Sequence, residues 1–307
     1  MLELLLYSAI VAGTPLLYAT LGEIITERSG VLNLGVEGMM TVGAFAGFAI
    51  TVITGNLFLG LISAGISAGL LSLVHALMCV TLRANQIVSG LGLTIFGIGL
   101  SSYLGKSLVG VPVQVTFEKI EIPYLSEIPW IGAILFQHNF LVYFAIITSI
   151  GVYLIFNKTK TGISLKAVGD NPAAADMAGI NVFFVRYMAI FFGGILCGLG
   201  GAYISLAYTP FWTDMIISGR GWIAIALVIF SAWDPRLAIV GAFLFGCVDA
   251  LATRFQVMGI NISPYFLRML PYIFTIVIMI LSTKKSMIGK KALSVPAALT
   301  LPYHREG

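Results

Sequence analysis

Long, nearly unbroken runs of apolar residues follow one another along most of this chain. Each run is long enough for a helix to cross the roughly 30 Å hydrocarbon core of a bilayer, which takes about 20 residues. Charged residues make up only 10% of the chain, which is too few to cover a water-facing surface. The runs are continuous rather than alternating, which favours helices over barrel strands. The sequence therefore predicts an all-α, polytopic transmembrane helix bundle.

About nine spans are predicted, and their ends are uncertain by several residues. They are 4–22, 37–54, 58–81, 86–104, 139–156, 183–206, 220–233, 236–254 and 265–282. The seventh span is short and fits a bent or partly re-entrant segment. Charges and glycines interrupt 23–36, which predicts either a cytoplasmic loop or a broken helix that faces a pathway. The spans form one transmembrane domain, 1–285, followed by a cytoplasmic tail, 286–307.

Lysine and arginine in short loops indicate the orientation of the bundle. With nine spans, Arg83, the loop 157–182, Arg236 and the lysines of the tail all fall on one side. That side is predicted to be the cytoplasm, so the N-terminus lies outside and the C-terminus inside. The acidic segment 105–138 is then extracytoplasmic.

A weak internal repeat follows from the same topology. Ser29-Gly30 and Ser218-Gly219 each precede three predicted spans. The first set starts inside and the second starts outside. This order is compatible with an inverted repeat, which is a common plan in transporters with the pathway between the halves.

The loop 157–182 predicts two short helices that are joined at a turn. The turn reads Gly169-Asp170-Asn171-Pro172. Gly169 breaks the first helix, Asp170 or Asn171 can cap the second, and Pro172 suits its first turn. The charge pattern places this hinged pair on the cytoplasmic face.

The loop resembles the coupling segment of permeases of the branched-chain amino acid, simple sugar and nucleoside family of ATP-binding-cassette importers. The shared positions are Thr161, Gly162, Lys166, Ala167, Val168, Gly169, Asn171, Pro172, Ala174, Ala175, Gly179 and Ile180. Residues 27–40 closely resemble the segment before the second span in the nucleoside-type branch. The resemblance covers roughly 5–285. Lys166 stands where arginine is common, which keeps the charge but loses the planar fork.

The resemblance implies a permease subunit that carries nucleosides across the cytoplasmic membrane of a prokaryote. The loop would dock on a separate ATPase subunit, which binds ATP and Mg. A second homologous permease chain, or a second copy of this one, and an extracytoplasmic substrate-binding lipoprotein would complete the machine. The implied coupling residues are Thr161, Gly162, Lys166, Gly169, Asp170, Asn171, Pro172, Ala174, Ala175 and Gly179. Import of ribose-like sugars or branched-chain amino acids by the same machine is the alternative.

The chain shows no catalytic motif of its own. Gly105-Lys106-Ser107 lacks the upstream glycine of a phosphate-binding loop and ends a membrane run instead of joining a strand to a helix. The cysteines have no metal-ligand spacing, and the basic residues lie in short clusters that orient membrane spans rather than bind nucleic acid. We therefore expect a channel-forming subunit in the membrane lipid that is not an enzyme and binds no metal or cofactor itself.

Polar and aromatic residues inside the spans are candidates for the pathway. Glu37 is the first of these, and Asn33 would share its helix face if the segment is helical. Alternatively, Glu37 pairs with Arg28 or with a backbone group. An ion-driven secondary transporter would need a relay of buried ionisable groups, for which only Glu37 and Asp249 qualify. The predicted pathway residues are Asn33, Glu37, Phe45, Phe96, Tyr203 and Trp222, although each aromatic ring also fits an interfacial belt or a lipid-facing position.

Overall fold

The computed structural model describes residues 2–113, 115–258 and 295–304, together with a few positions between 266 and 280. The helices of the described part are α1 (Leu2–Arg28), α2 (Val36–Thr54), α3 (Leu57–Ala76), α4 (Gln86–Gly105), α5 (Ile131–Leu135), α6 (Phe140–Lys158), α7 (Lys160–Asp170), α8 (Pro172–Met177), α9 (Val182–Tyr203), α10 (Arg220–Phe230) and α11 (Pro235–Val257). A π-helical turn, Leu77–Thr81, extends α3, and another, Ile204–Tyr208, extends α9.

Seven of the described helices are long and apolar enough to cross a membrane, namely α1, α2, α3, α4, α6, α9 and α11. The predicted polytopic helix bundle is therefore confirmed. The short seventh span corresponds to α10, which has only 11 residues. The ninth predicted span, 265–282, lies outside the described residues apart from isolated positions. The total number of spans and the orientation of the bundle stay predictions.

The first helix is longer than the predicted span 4–22, so the expected interruption at residue 23 is wrong. α1 continues to Arg28 because the two carboxylates that suggested a break find buried partners. Glu23 Oε1 accepts a hydrogen bond from the backbone N–H of Asn33 at 2.9 Å, and Glu27 Oε2 accepts one from the indole N–H of Trp233 at 2.6 Å. Only 29–35 is irregular.

Two helices, α1 and α9, run side by side through the centre of the described bundle. α11 packs along α1, and α3 packs along α9. Small residues allow these close approaches: a methyl group added at Gly198 of α9 would lie 2.6 Å from the Ala68 methyl group of α3. Backbones approach in this way where lipid supplies no hydrophobic force between helices.

The faces of α3, α4 and α6 that point away from the bundle are apolar. Their exposed side chains include Ile62, Ile66, Leu70, Val74, Val88, Ile95, Phe96, Ile147, Ile150 and Leu154. Such faces suit contact with lipid. A charged group on the surface of the bundle at the same depth can be compared with these apolar faces.

A small two-stranded sheet interrupts the otherwise helical chain between α4 and α6. β1 (Lys119–Glu121) pairs antiparallel with β2 (Gln137–Asn139), and Ile120 lies opposite His138. The all-α prediction did not include this ladder. It ties the segment between α4 and α6 to the start of α6.

Candidate functional site

The structure confirms the two short helices predicted in the loop 157–182, but the predicted break at Gly169 is wrong, because α7 continues through Gly169 to Asp170. Asn171 separates α7 from α8 in an extended conformation, and its side chain accepts a hydrogen bond from the backbone N–H of Ala174 at 3.0 Å. Pro172 is the first residue of α8. After α8 the chain turns at Gly179, which has a φ of +85°. Local cap and turn chemistry therefore builds the hinge.

One surface of this hinged pair is exposed. Met177, at the end of α8, has 84% of its surface exposed. Thr161, Asp170, Asn171, Ala174 and Gly179 are also exposed, whereas Lys166 and Pro172 are half-buried and Gly162, Gly169 and Ala175 are buried. The exposed surface of the loop is thus partly polar and partly apolar, and its small residues Gly162, Gly169 and Ala175 pack inside.

Gly169 packs backbone to backbone against the end of α1. A methyl group at this position would collide with the carbonyl oxygen of Arg28 and would lie 3.3 Å from the backbone nitrogen of Gly30. The hinge of the loop therefore rests directly on the turn that leads out of α1. No side chain lies between them to absorb a displacement.

The ammonium of Lys166 lies between α7 and the end of α6. Its Nζ donates a hydrogen bond to Asn157 Oδ1 at 2.9 Å and lies 5.9 Å from the centre of the Phe156 ring. Partial burial lowers the pKa of Lys166, and the positive charge of Arg28 lowers it further. The side chain holds α7 against α6, so its role here does not require the planar fork of arginine.

The tail also contacts the hinge, which the sequence analysis missed. The backbone N–H of Ala298 donates a hydrogen bond to the carbonyl of Gly169 at 2.9 Å, and the hydroxyl of Tyr303 donates one to Asp176 Oδ2 at 2.8 Å. The Tyr303 ring packs on Phe183 of α9, with 6.1 Å between centroids. An apolar stretch, 295–301, within a basic tail was the available signal.

Two irregular segments of the described residues form breaks inside the bundle, and the first break is 29–35 between α1 and α2. Its backbone polar groups are paired by side chains of α1, α3 and α4. Leu32 N–H donates to Gln86 Oε1 at 2.8 Å, and Thr94 Oγ1 donates to the carbonyl of Leu34 at 2.8 Å. Non-helical backbone at membrane depth requires such partners.

His75 completes the cradle of the first break. Its Nε2 lies 3.0 Å from the carbonyl oxygen of Leu32, so this nitrogen is the donor, and its Nδ1 lies 2.9 Å from Ser89 Oγ. His75 is thus a fully buried packing residue whose two ring nitrogens both have partners. The described residues that pair with the first break thus enclose it in protein, and no pathway opens between them.

Glu37 connects the first break to the second, which we define as residues 209–219 between α9 and α10. Its Oε1 accepts a hydrogen bond from the backbone N–H of Gly219 at 2.7 Å, and its Oε2 accepts one from Gly221 at 2.6 Å. The positive end of the α10 helix dipole stabilises a carboxylate in this position. The predicted pairing of Glu37 with a backbone group is confirmed.

The expected shared helix face of Asn33 and Glu37 is wrong. α2 begins only at Val36, because the Asn33 side chain turns back to accept a hydrogen bond from the backbone N–H of Gly35 at 2.8 Å. Asn33 shapes the first break, whereas Glu37 caps the helix that follows the second. Both side chains are buried.

The second break opens into a cavity of about 490 Å³. Arg220, the first residue of α10, forms an ion pair with Asp249 of α11 at 3.4 Å. The Arg220 guanidinium lies 5.4 Å from the centre of the Tyr208 ring. Ser218 and Tyr272 also line the cavity. The sequence indicated Asp249 but not its partner, because the two residues come from different helices.

The four predicted pathway aromatics lie in different surroundings. Phe45 contacts Trp212 edge to face, with 5.6 Å between centroids. Phe96 is exposed on the apolar face of α4, Tyr203 is fully buried, and Trp222 is partly exposed on α10. The structure therefore does not bring these rings together, and their part in a pathway stays a prediction.

Comparison with known proteins identifies the family of this helical bundle. The family model described as "Branched-chain amino acid transport system / permease component" matches residues 5–283. The chain belongs to this family. The match covers every membrane-crossing helix described above, so the chain is a multi-pass cell-membrane protein of the ABC permease class.

Three relatives resemble this permease along nearly all of its length. The putative glucose ABC transporter permease protein TsgC13 of Haloferax volcanii is 39% identical, over 98% of both chains. The nucleoside ABC transporter permease protein NupC of Lactococcus lactis is 34% identical, over 94% of the permease and 95% of the relative. The guanosine ABC transporter permease protein NupQ of Bacillus subtilis is 32% identical, over 98% and 97%. No solved structure matches significantly.

Proposed function

We propose that the chain is the channel-forming subunit of an ATP-driven importer and that the α7–α8 loop receives the movement of a separate ATPase subunit. The observation that carries this proposal is the backbone contact between Gly169 and residues 28–30. A push on the exposed surface of α8 would reach the end of α1 through the hinge. From there it would reach the first break.

The two breaks form the moving part of this proposal. Gly30 and Gly219 both adopt left-handed backbone conformations, with φ of +87° and +85°. α1 packs along α11 as α9 packs along α3, which supports the inverted repeat expected from the sequence. In such a repeat the pathway runs between the halves, and Glu37 joins them.

The orientation expected from the basic loops places α7 and α8 in the cytoplasm, where an ATPase can reach them. A second permease chain, which would be a homologue or another copy, would complete the channel. A binding lipoprotein would deliver cargo from outside. The contact of residues 295–304 with the hinge supports a common side for the loop and the tail.

Nucleosides are the proposed cargo, because two of the three similar relatives are named for nucleoside or guanosine transport. Sugars are the second candidate, because the relative at 39% identity is named as a putative glucose permease. Branched-chain amino acids remain the third. Uptake of labelled guanosine, glucose and leucine by cells that express the complete transporter separates the three.

The hinge is tested with Gly169→Ala and Gly169→Pro. Either substitution forces the loop away from Arg28, so we expect uptake to fall at least tenfold while the amount of protein in the membrane is unchanged. Gly151→Ala is the matched control, because open space surrounds a methyl group at that helical glycine. Normal uptake by Gly169→Pro would refute the coupling role.

The orientation is tested with single cysteines at two exposed positions. Met177 has 84% of its surface exposed and Tyr124 has 87%, so both cysteine variants should react with a membrane-impermeant maleimide. We expect Met177→Cys to react only in inside-out vesicles and Tyr124→Cys only in intact cells. Labelling of Met177→Cys from outside would overturn the proposed docking of the ATPase.

A further inference from the structure

The described surface of the bundle carries an ion pair between α10 and α11, whereas the outward faces of α3, α4 and α6 carry apolar side chains. Arg220 and Asp249 keep 19% and 36% of their side-chain surfaces exposed, respectively. The exposed Arg236 and its partner Asp234 follow Phe230 closely, which puts this end of α10 near the membrane boundary. From Phe230, α10 rises only about 15 Å to Arg220, at 1.5 Å per residue. Arg220 thus lies near the middle of a hydrocarbon core of roughly 30 Å.

A charged pair at this depth does not belong against lipid. Ionisable side chains in membrane proteins face the bundle interior or a water-filled cavity, because contact with hydrocarbon is costly. Arg220 and Asp249 both line the cavity of about 490 Å³ beside the second break. This volume lies in the usual range for small-molecule sites. A cavity of this size can hold a small solute.

From these observations we infer that the Arg220–Asp249 cavity is a cargo half-site for neutral solutes that carry vicinal hydroxyl groups. The inference rests on the proposed import function and specifies the substrate class. The second permease chain would supply the opposite wall. The shared chemistry is the cis or trans diol of a pentose or hexose ring, which occurs in nucleosides and in sugars.

The side chains of the cavity match that chemistry. The second carboxylate oxygen of Asp249 can accept hydroxyl hydrogens, and the Arg220 guanidinium has donors beyond the one that meets Asp249. The Phe245 ring, which lines the cavity, provides a flat surface for the C–H face of a sugar. The hydroxyl oxygens of Ser218 and Tyr272 also line the cavity and add acceptors, since their O–H groups donate to backbone carbonyls.

The same arrangement disfavours anionic cargo. Glu37, which accepts hydrogen bonds from the backbone on both sides of Arg220, and Asp249 place two carboxylates around one guanidinium, so an anionic solute would be repelled. A hydroxylated solute joins the pair without separating it.

The position of the pair connects cargo to the moving part. Arg220 follows Gly219 directly, and the N–H of Gly219 donates to Glu37. The hydroxyl of Tyr272 lies 3.5 Å from the carbonyl oxygen of Gly219. A solute held by Arg220 therefore contacts the N-terminus of α10. Glu37 binds this same N-terminus and so links the second break to the first.

The test compares two solutes that differ by one hydroxyl group in the complete transporter. Uptake of guanosine and 2′-deoxyguanosine, or of glucose and 2-deoxyglucose, is measured in the parent and in Asp249→Asn. The parent and the variant use the same binding protein. The solute preference of that protein therefore cancels when their two uptake ratios are compared. We expect the ratio of the hydroxylated to the deoxy solute to fall about tenfold in Asp249→Asn, since the hydroxyl then meets a neutral amide in place of a carboxylate.

The control is Asp234→Asn at the exposed Asp234–Arg236 pair, where the distance is 2.9 Å, and we expect it to leave both ratios unchanged. The solute pair that the parent carries distinguishes nucleoside from sugar. An equal loss of both solutes in Asp249→Asn would show that the ion pair is structural, and transport of leucine alone would also overturn the inference. Loss of uptake in Gly169→Pro with an unchanged ratio in Asp249→Asn would reject the half-site and leave the importer assignment intact.

Discussion

The two breaks in the bundle have the same kind of backbone but opposite surroundings. In the first, 29–35, the backbone polar groups pair with Glu23, His75, Gln86 and Thr94 inside the protein. In the second, 209–219, Pro210, Phe211, Asp214, Met215 and Ser218 are exposed. The first break touches the loop hinge and the second touches the cavity. One break is therefore built to transmit a displacement and the other to meet a solute.

The largest expected effect comes from removing the residue that joins the breaks. Glu37→Ala leaves the N–H groups of Gly219 and Gly221 without their acceptor at membrane depth. Hydrogen bonds to charged groups contribute about 1.5–3 kcal/mol each, so we expect the free energy of unfolding to fall by roughly 3 kcal/mol or more. Thermal unfolding of the purified permease in detergent measures this.

Glu37→Gln provides the control for that variant, because it keeps the size of the side chain and one acceptor oxygen. We expect a smaller loss of stability than in Glu37→Ala. Equal stability of Glu37→Ala and the parent protein would show that the second break does not depend on the first.

A smaller effect is expected where the first break is sealed. Gln86→Leu removes the acceptor of the Leu32 N–H, which leaves a buried donor unpaired and costs about 1–3 kcal/mol of unfolding free energy. The ratio of hydroxylated to deoxy solute in uptake should stay the same, because Gln86 does not line the cavity. Chemical unfolding and paired uptake assays measure the two quantities.

Gln137→Leu is the matched control, since the Gln137 amide makes only a long contact of 3.4 Å to the carbonyl of Ser126. We expect its effect on stability to stay within about 0.5 kcal/mol. A change in solute preference in Gln86→Leu would contradict the division of roles between the breaks.

The smallest expected effect concerns Tyr303, the tail residue that contacts the hinge next to the first break. Tyr303→Phe removes the hydrogen bond to Asp176 but keeps the ring on Phe183, so we expect a loss of about 0.5–1.5 kcal/mol at most. If the tail positions the loop, the number of ATP molecules hydrolysed per solute should rise slightly. Simultaneous measurement of ATPase activity and uptake in proteoliposomes gives this number.

Tyr153→Phe tests whether loss of any tyrosine hydroxyl near this end of the bundle has the same consequence. Arg236 lies over the Tyr153 ring, with 4.2 Å between the guanidinium carbon and the ring centre, and phenylalanine keeps that contact. We expect unchanged coupling. The same rise in both variants would contradict a specific role for Tyr303.

Features that depend on neighbouring residues could be predicted from the sequence. The hinge at Asn171 follows from its capping side chain and from Pro172, and the short α10 follows from the length of its apolar run. Each of these signals lies within a few residues of the structure that it determines. The apolar length of the runs likewise predicted the membrane helices.

Features that depend on distant partners could not be predicted. α1 continues through Glu27 because Trp233, more than 200 positions along the chain, supplies an indole donor. The Arg220–Asp249 pair requires the packing of α10 against α11. A local pattern shows that a buried charge needs a partner, but only the fold determines which residue provides it.

The contact between the tail and the hinge has a consequence for biosynthesis. Residues 295–304 complete the surroundings of Gly169, yet the ribosome adds them more than 120 residues after the hinge. The hinge therefore reaches its final form only after α9, α10 and α11 have been translated. A prematurely terminated chain that had already inserted its helices would present an incomplete hinge, so faulty products would be poor competitors for assembly.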